Sequence, residues 1–195
     1  MAQQVINNGT IAGDGTGETL FSAFDKTNDN FTDIYKVAGW GNYAQSAATA
    51  QTITTIDSKL VIDGGGAASN SSYLPLEIRG ISELWDTVNN KITPIAIGDG
   101  YTMRIDLEIT GKTGNPNGLD FSLDIGGGAA PTNVFIERVI STLKATPYRV
   151  SVAFPFYTLS DFKTNGGQIF LKTDTGTLTI ASRMLSIHRI SSGTI

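Results

Sequence analysis

Tyr101-Thr102-Met103-Arg104-Ile105-Asp106-Leu107-Glu108-Ile109 places an apolar side chain at every odd position and a polar one at every even position. Side chains along a β-strand alternate between two faces, so this period of two specifies a strand with one face in a core and the other in water. The same alternation returns at Phe121-Ser122-Leu123-Asp124-Ile125 and at Tyr148-Arg149-Val150-Ser151-Val152-Ala153-Phe154, and less regularly over 53–62, 76–78, 134–140, 168–172 and 178–190. Between these runs lies turn chemistry: Gly64-Gly65-Gly66, Gly98-Asp99-Gly100, Asn115-Pro116-Asn117-Gly118, Gly126-Gly127-Gly128, Asn165-Gly166-Gly167 and Asp174-Thr175-Gly176. Many short strands at such spacing, with almost no helical pattern between them, predict a mainly β chain, a jelly-roll-like antiparallel β-sandwich.

The N-terminal part follows a different rule. Gly13, Gly15 and Gly17 permit tight turning, Thr16 is a candidate N-cap, and Glu18 would sit in a first turn where the helix dipole favours an anion. One short α-helix is therefore expected to begin near Gly17. Leu20, Phe24, Phe31 and Ile34 recur at a heptad-like spacing with Thr27 on the middle rung, and Phe21, Asn28 and Tyr35 form a flanking row. A seam this short is marginal alone, so its aromatics need cover from the chain's own domain or from a partner. The expected organisation is an arm and helix for attachment or trimerisation over 1–36, a linker over 37–51, and the sandwich over 52–195. Gly39, Gly41 and the Ala/Ser/Thr/Gln run over 44–51 suggest the linker. Trp40 and Tyr43 within it pack either on the chain's own domain or on a partner.

Composition narrows the functional classes. The chain has 195 residues, 40% hydrophobic, enough for one substantial core. It contains no cysteine, which removes disulfides and thiolate metal sites. A net charge of −4 with 16% charged residues does not suit a nucleic-acid surface. No apolar run is long enough for a membrane span, and no basic region followed by an apolar one marks a signal peptide. The single histidine, His188, sits in a predicted strand, so the two-histidine zinc motifs are absent and no metal or cofactor is expected. Asp57, Asp63, Asp99, Asp106, Glu108, Asp120 and Asp124 are scattered over turns and polar strand faces and select no glycosidase pair. Asp14 to Gly17 and Asp63 to Gly66 lack the Gly-Lys-Ser/Thr ending of a phosphate loop. The Asn115 to Asp120 loop lacks the carboxylate spacing of an EF-hand. Trp85, Tyr73 and Tyr157 are spread along the chain rather than gathered as a sugar-binding loop, and Trp85 suits a core or a trimer interface. The expectation is that the protein is not an enzyme.

Gly9-Thr10, Asp14-Gly15-Thr16-Gly17, Ala23-Phe24-Asp25-Lys26 and Asn28-Asp29-Asn30-Phe31-Thr32-Asp33-Ile34-Tyr35 occur in that order. This segment, Ile6 to Tyr35, resembles a sequence near the N-termini of many tailed-bacteriophage virion proteins, from which it departs at Phe21 and Thr27. The resemblance implies an attachment module carried in the virion, on a protein assembled in the host cytoplasm. A second set is similar to the tumour-necrosis-factor-like jelly rolls of trimeric phage capsid and tail proteins: Asp124-Ile125-Gly126-Gly127, Val152 to Tyr157, Phe162 to Gly167 and Ile187-His188-Arg189. It implies a homotrimer with the N-terminal helices at one end of its threefold axis.

The expected partner or trimer interface is Ile6, Ile11, Leu20, Phe21, Phe24, Phe31, Ile34, Tyr35 and Trp40. The expected function is a bacteriophage virion structural protein, a trimeric head decoration or cement protein bridging subunits of the major capsid protein. The alternative is a short tail-fibre or receptor-binding knob, held by a tail or baseplate protein and reading a host surface receptor. A depolymerase is disfavoured because the chain shows no β-helix repeat.

Overall fold

A computed structural model describes residues 4–7, 15–63, 73–75, 78–79 and 83–193, with the backbone alone over 32–37. Helix α1 spans Leu20–Val37. Among the described residues eleven strands follow: β1 Gly39–Gln45, β2 Gln51–Ile53, β3 Ser58–Lys59, β4 Trp85–Asp86, β5 Lys91–Ile92, β6 Gly100–Thr113, β7 Gly118–Asp124, β8 Val134–Ser141, β9 Tyr148–Tyr157, β10 Gly167–Thr173 and β11 Thr177–Ser191. A short helix α2, Ser160–Asn165, lies between β9 and β10.

All pairings are antiparallel and build two sheets. One has the order β1-β11-β6-β9, with β2 also on β11; the other has β4-β5-β10-β7-β8, with β3 also on β10. The chain changes sheet between β2 and β3, β5 and β6, β6 and β7, β8 and β9, β9 and β10, and β10 and β11, which is the winding of a jelly-roll-like sandwich. Tyr101, Met103, Ile105, Leu107 and Ile109 of β6 are buried, as their alternation requires, and meet Leu119, Phe121 and Leu123 of β7 and Ile169 and Leu171 of β10 in one core. Each such buried large side chain contributes about 1.5–3 kcal/mol. Trp85 is fully buried in this core, where its indole N–H donates to the Ile62 carbonyl at 2.8 Å.

Three expectations need correction. The helix starts at Leu20 with Thr19, not Thr16, as its N-cap; the Thr19 hydroxyl accepts the Ser22 N–H at 3.2 Å, and Glu18 lies before the cap rather than in the first turn. The region 37–51 is not a linker. Val37 ends α1, and Gly39–Gln45 is β1, paired with β11 from Gly39↔Arg189 to Gln45↔Arg183, so the sandwich begins at Gly39 instead of 52. Its inward positions are Gly41, Tyr43 and Gln45, and the Tyr43 ring lies where a Gly41 Cβ would stand, 2.9 Å from it, so the strand shows no apolar alternation. The span 53–62 is broken into the end of β2 and the two-residue β3, and Ile78 lies in a turn. Leu76 and the Gly64 to Gly66 turn lie outside the described residues.

The polar positions of β7 also depart from the simple pattern, since Ser122 and Asp124 are buried. Asp124 accepts N–H bonds from Gly126 at 3.0 Å, Thr132 at 2.8 Å and Asn133 at 2.6 Å, which folds the following loop back over the sheet.

Candidate functional site

The polar residues of the N-terminal motif bind the chain's own arm. Asn30 treats Gln4 as a neighbouring strand would: the Gln4 N–H donates to Asn30 Oδ1 at 3.0 Å, and Asn30 Nδ2 donates to the Gln4 carbonyl at 3.0 Å. Gln4 Nε2 donates to Asp29 Oδ2 at 3.0 Å, and Lys26 Nζ donates to the Val5 carbonyl at 3.1 Å. Lys26 also pairs with Glu18, whose own N–H donates to the Asn7 carbonyl at 2.9 Å. The Lys26 ammonium holds the Glu18 carboxyl below the usual glutamate range. Arm and helix therefore form one hydrogen-bonded unit, held along the Ser22, Ala23, Lys26, Thr27 and Asn30 side of α1, the less exposed side.

That arrangement leaves the aromatic seam outside. Leu20 is 74% exposed, Phe21 77%, Phe24 58% and Phe31 57%. The sandwich touches α1 chiefly through β11 and does not cover these rings. Of the remaining expected interface residues, Ile6 is half-buried, the side chains of Ile34 and Tyr35 lie outside the described set, and so does Ile11. Trp40 stands apart from α1's seam. It is half-buried on β1, stacked on Tyr73 with centroids 4.7 Å apart and planes 7° off parallel, and on His188 at 6.0 Å and 20°. Tyr73 remains 52% exposed. Tyr157, also half-exposed, packs edge-on against Phe135 at 5.4 Å.

A groove of about 360 Å³ crosses the outward face of β1, β11, β6 and β9. Asp106 Oδ1 accepts from Arg104 Nε at 3.0 Å and Nη2 at 2.9 Å, and also from Ser151. Glu108 accepts from Ser182 Oγ at 2.5 Å and faces Arg149 at 4.0 Å. Acid is thus matched to base within the groove, and His188 is not part of its lining. Among the described residues no cluster of three or more histidines and carboxylates is placed to hold a metal ion.

The sandwich end beside α1 is held by a buried carboxylate. Asp99 is fully enclosed; Oδ1 accepts Arg189 Nη2 at 3.0 Å and the Gly193 N–H at 2.8 Å, and Oδ2 accepts the Tyr101 hydroxyl at 3.0 Å and the Ala96 N–H at 2.9 Å. Burial pushes the Tyr101 phenol up, and the Asp99 charge adds to this. Sequence reading placed Asp99 only in a turn and missed its partner; the one available signal was an arginine, Arg189, at the inward parity of an apolar strand. The arm clamps Lys26, Asp29 and Asn30 were visible as motif members, without their role.

No protein-family model matches this chain. No curated protein matches it either. Among solved structures it is similar to the Eiger TNF from S. frugiperda, at 6% identity over 81% of this chain and 96% of that one, with a TM-score of 0.48. The PRD1 vertex protein P5 is similar at 10% identity over 78% and 72%, with a TM-score of 0.44. A structure of Bacillus endospore appendages, described as disulfide-linked pili, is similar at 9% identity over 80% and 90%, with a TM-score of 0.40.

Proposed function

We propose that this chain is a bacteriophage virion structural protein, a trimeric head decoration protein whose arm and helix unit fastens it to the major capsid protein. The observation that carries the reading is the exposed seam of Leu20, Phe21, Phe24 and Phe31 on a helix whose polar side is already occupied by its own arm. The three phenylalanines expose roughly 400 Å² between them, taking about 200 Å² per ring. Burying that area is worth on the order of 10 kcal/mol, close to the 4–15 kcal/mol that association costs in lost freedom. One helix alone barely holds, whereas three helices on one trimer engage a lattice with the gain of multivalency. The virion setting comes from the resemblance of the Ile6 to Tyr35 segment. No catalytic role, nucleic acid or membrane enters this reading.

The test is a binding assay of the purified chain against empty expanded phage capsids and against whole host cells, with sedimentation for its oligomeric state. Saturable binding to capsids as a trimer is expected, and a chain lacking residues 1–38 should keep a cooperative thermal transition while losing capsid binding. Binding to cells alone would replace this reading with the receptor-binding knob. The observation favouring that second reading is the Trp40, Tyr73 and His188 stack, a rigid aromatic surface on an outward sheet face.

A further inference from the structure

In an Asn-Gly pair the glycine nitrogen has no neighbouring side chain to screen it, so it reaches the asparagine side-chain carbon more readily than any other following residue does. The pair occurs at Asn8-Gly9, Asn117-Gly118 and Asn165-Gly166. The first lies outside the described residues. Asn165 is secured twice, since its Nδ2 donates to the Ile125 carbonyl at 2.8 Å and the Gly166 N–H donates to the Phe162 carbonyl at 2.9 Å. Asn117 differs: it is exposed, and among the described residues its side-chain amide makes no hydrogen bond.

What restrains Asn117 is its backbone. The Asn117 and Gly118 N–H groups both donate to Asp174 Oδ1, at 3.0 and 3.2 Å, and the Asp174 N–H donates to the Gly118 carbonyl at 3.3 Å. The Asn117 carbonyl accepts the Thr142 N–H at 2.9 Å, and the buried Thr142 hydroxyl donates to the Pro116 carbonyl at 2.6 Å. The peptide group joining Asn117 to Gly118 is thus held at both ends, its N–H by Asp174 and its C=O by Thr142. Attack on the side-chain carbon requires the Gly118 nitrogen to lose its proton and turn toward the Asn117 side chain. The Asp174 carboxylate opposes both changes, because it keeps the N–H pointed at itself and repels the negative charge that deprotonation would leave. It is also a poor base for that proton: the Gly118 N–H, with the other backbone donors, holds the Asp174 carboxyl below the usual aspartate range.

We propose that Asn117 is a deamidation site of this protein, latched by Asp174. When the latch opens, the Gly118 nitrogen bonds to Asn117 Cγ, the Cγ–Nδ2 bond breaks, and the amide nitrogen leaves as ammonia with the proton that Gly118 gave up. Water then opens the cyclic imide on either side, giving aspartate or isoaspartate. Either product sets a second carboxylate beside Asp174. Isoaspartate also routes the main chain through the former side chain and lengthens it just before β7, where Gly118 pairs with Ser141 of β8. Loss of ammonia makes the step one-way, so the converted fraction grows with the age of the folded chain, and the corner shared by β7, β8 and the β10–β11 turn loosens with it.

The test incubates the full chain in mildly alkaline buffer, with and without denaturing urea, and follows Asn117 and Asn165 by peptide mapping with mass spectrometry. In the folded chain Asn117 should convert faster than Asn165. In urea both should convert at similar rates, Asn117 about ten- to thirty-fold faster than in the folded chain, the order that one or two net hydrogen bonds hold. Asp174→Ala should raise the folded rate at Asn117 about tenfold and leave Asn165 unchanged. Asp174→Asn keeps an oxygen for both N–H groups without the charge that strengthens such bonds, and should raise the rate by a smaller factor. It carries the test if the alanine variant speeds both sites together, the mark of general unfolding. Three results would overturn the latch: folded wild type converting as fast as the chain in urea, Asp174→Asn converting no faster than wild type, or either variant converting more slowly because the carboxylate acts as the base. Asn117 still intact in the folded chain long after its conversion in urea is complete would overturn the site itself. Conversion that survives Gly118→Ala at the wild-type rate would overturn the imide route; the added methyl fits, 3.4 Å from Val139 Cγ1.

Discussion

Replacing Asp99 with alanine removes the acceptor of four hydrogen bonds at once, among them the one from the Arg189 guanidinium, whose side chain is 1% exposed. Breaking a buried pair from one side costs about 3–5 kcal/mol, because the remaining charge loses that attraction while it stays desolvated. The orphaned Gly193 and Ala96 N–H groups and the Tyr101 hydroxyl each add to that when water cannot reach them. A loss of about 4 kcal/mol is therefore expected, a large part of the 5–15 kcal/mol that a domain commonly has. For a chain of this length it corresponds to a fall of about 8–16 °C in melting temperature. Urea unfolding followed by the fluorescence of buried Trp85 measures it, in wild type, Asp99→Ala, Arg189→Met and the double variant. The double variant should lose less than the sum of the singles, since it buries no uncompensated charge. A loss below about 1 kcal/mol for Asp99→Ala, or strict additivity in the cycle, would refute the pair's structural role. The same variant should loosen the end that carries Ile97 and Ile190, visible as faster hydrogen exchange at Ala96 and Gly193.

Phe24→Asp should abolish self-association or capsid binding while changing the stability of the sandwich by no more than about 0.5 kcal/mol, as for other surface substitutions; a global loss of stability in urea would show that the helix is part of the core. Glu18 supplies a pH test: its folded pKa lies below the ordinary value of 4.5, so its contribution to holding the arm is fully present above that value and is lost as pH falls through the lowered folded pKa. A carboxyl NMR titration should give a midpoint below 4.5, and one at or above it would contradict the Lys26 pairing.

Local sequence decided what local physics decides. The alternation over Tyr101 to Ile109 specified β6 and its buried face, and the turns around Gly98, Asn115, Gly127, Gly166 and Gly176 fell where the strands end. The period of Leu20, Phe24 and Phe31 specified a helix, although its first turn moved to Leu20 because Thr19 provides the cap. The strand β1 was hidden, since its inward positions hold a glycine beneath the Tyr43 ring and a glutamine whose Oε1 accepts the Asp63 N–H at 2.9 Å; neither residue advertises burial. Asp99 and Arg189 are 90 residues apart, and a pairing over that distance leaves no periodic trace. Periodicity states that one face of a helix is apolar and is silent on what covers it. Only the tertiary structure assigns the arm to the polar side of α1 and leaves the phenylalanines in water, because which surfaces meet depends on the path of the whole chain.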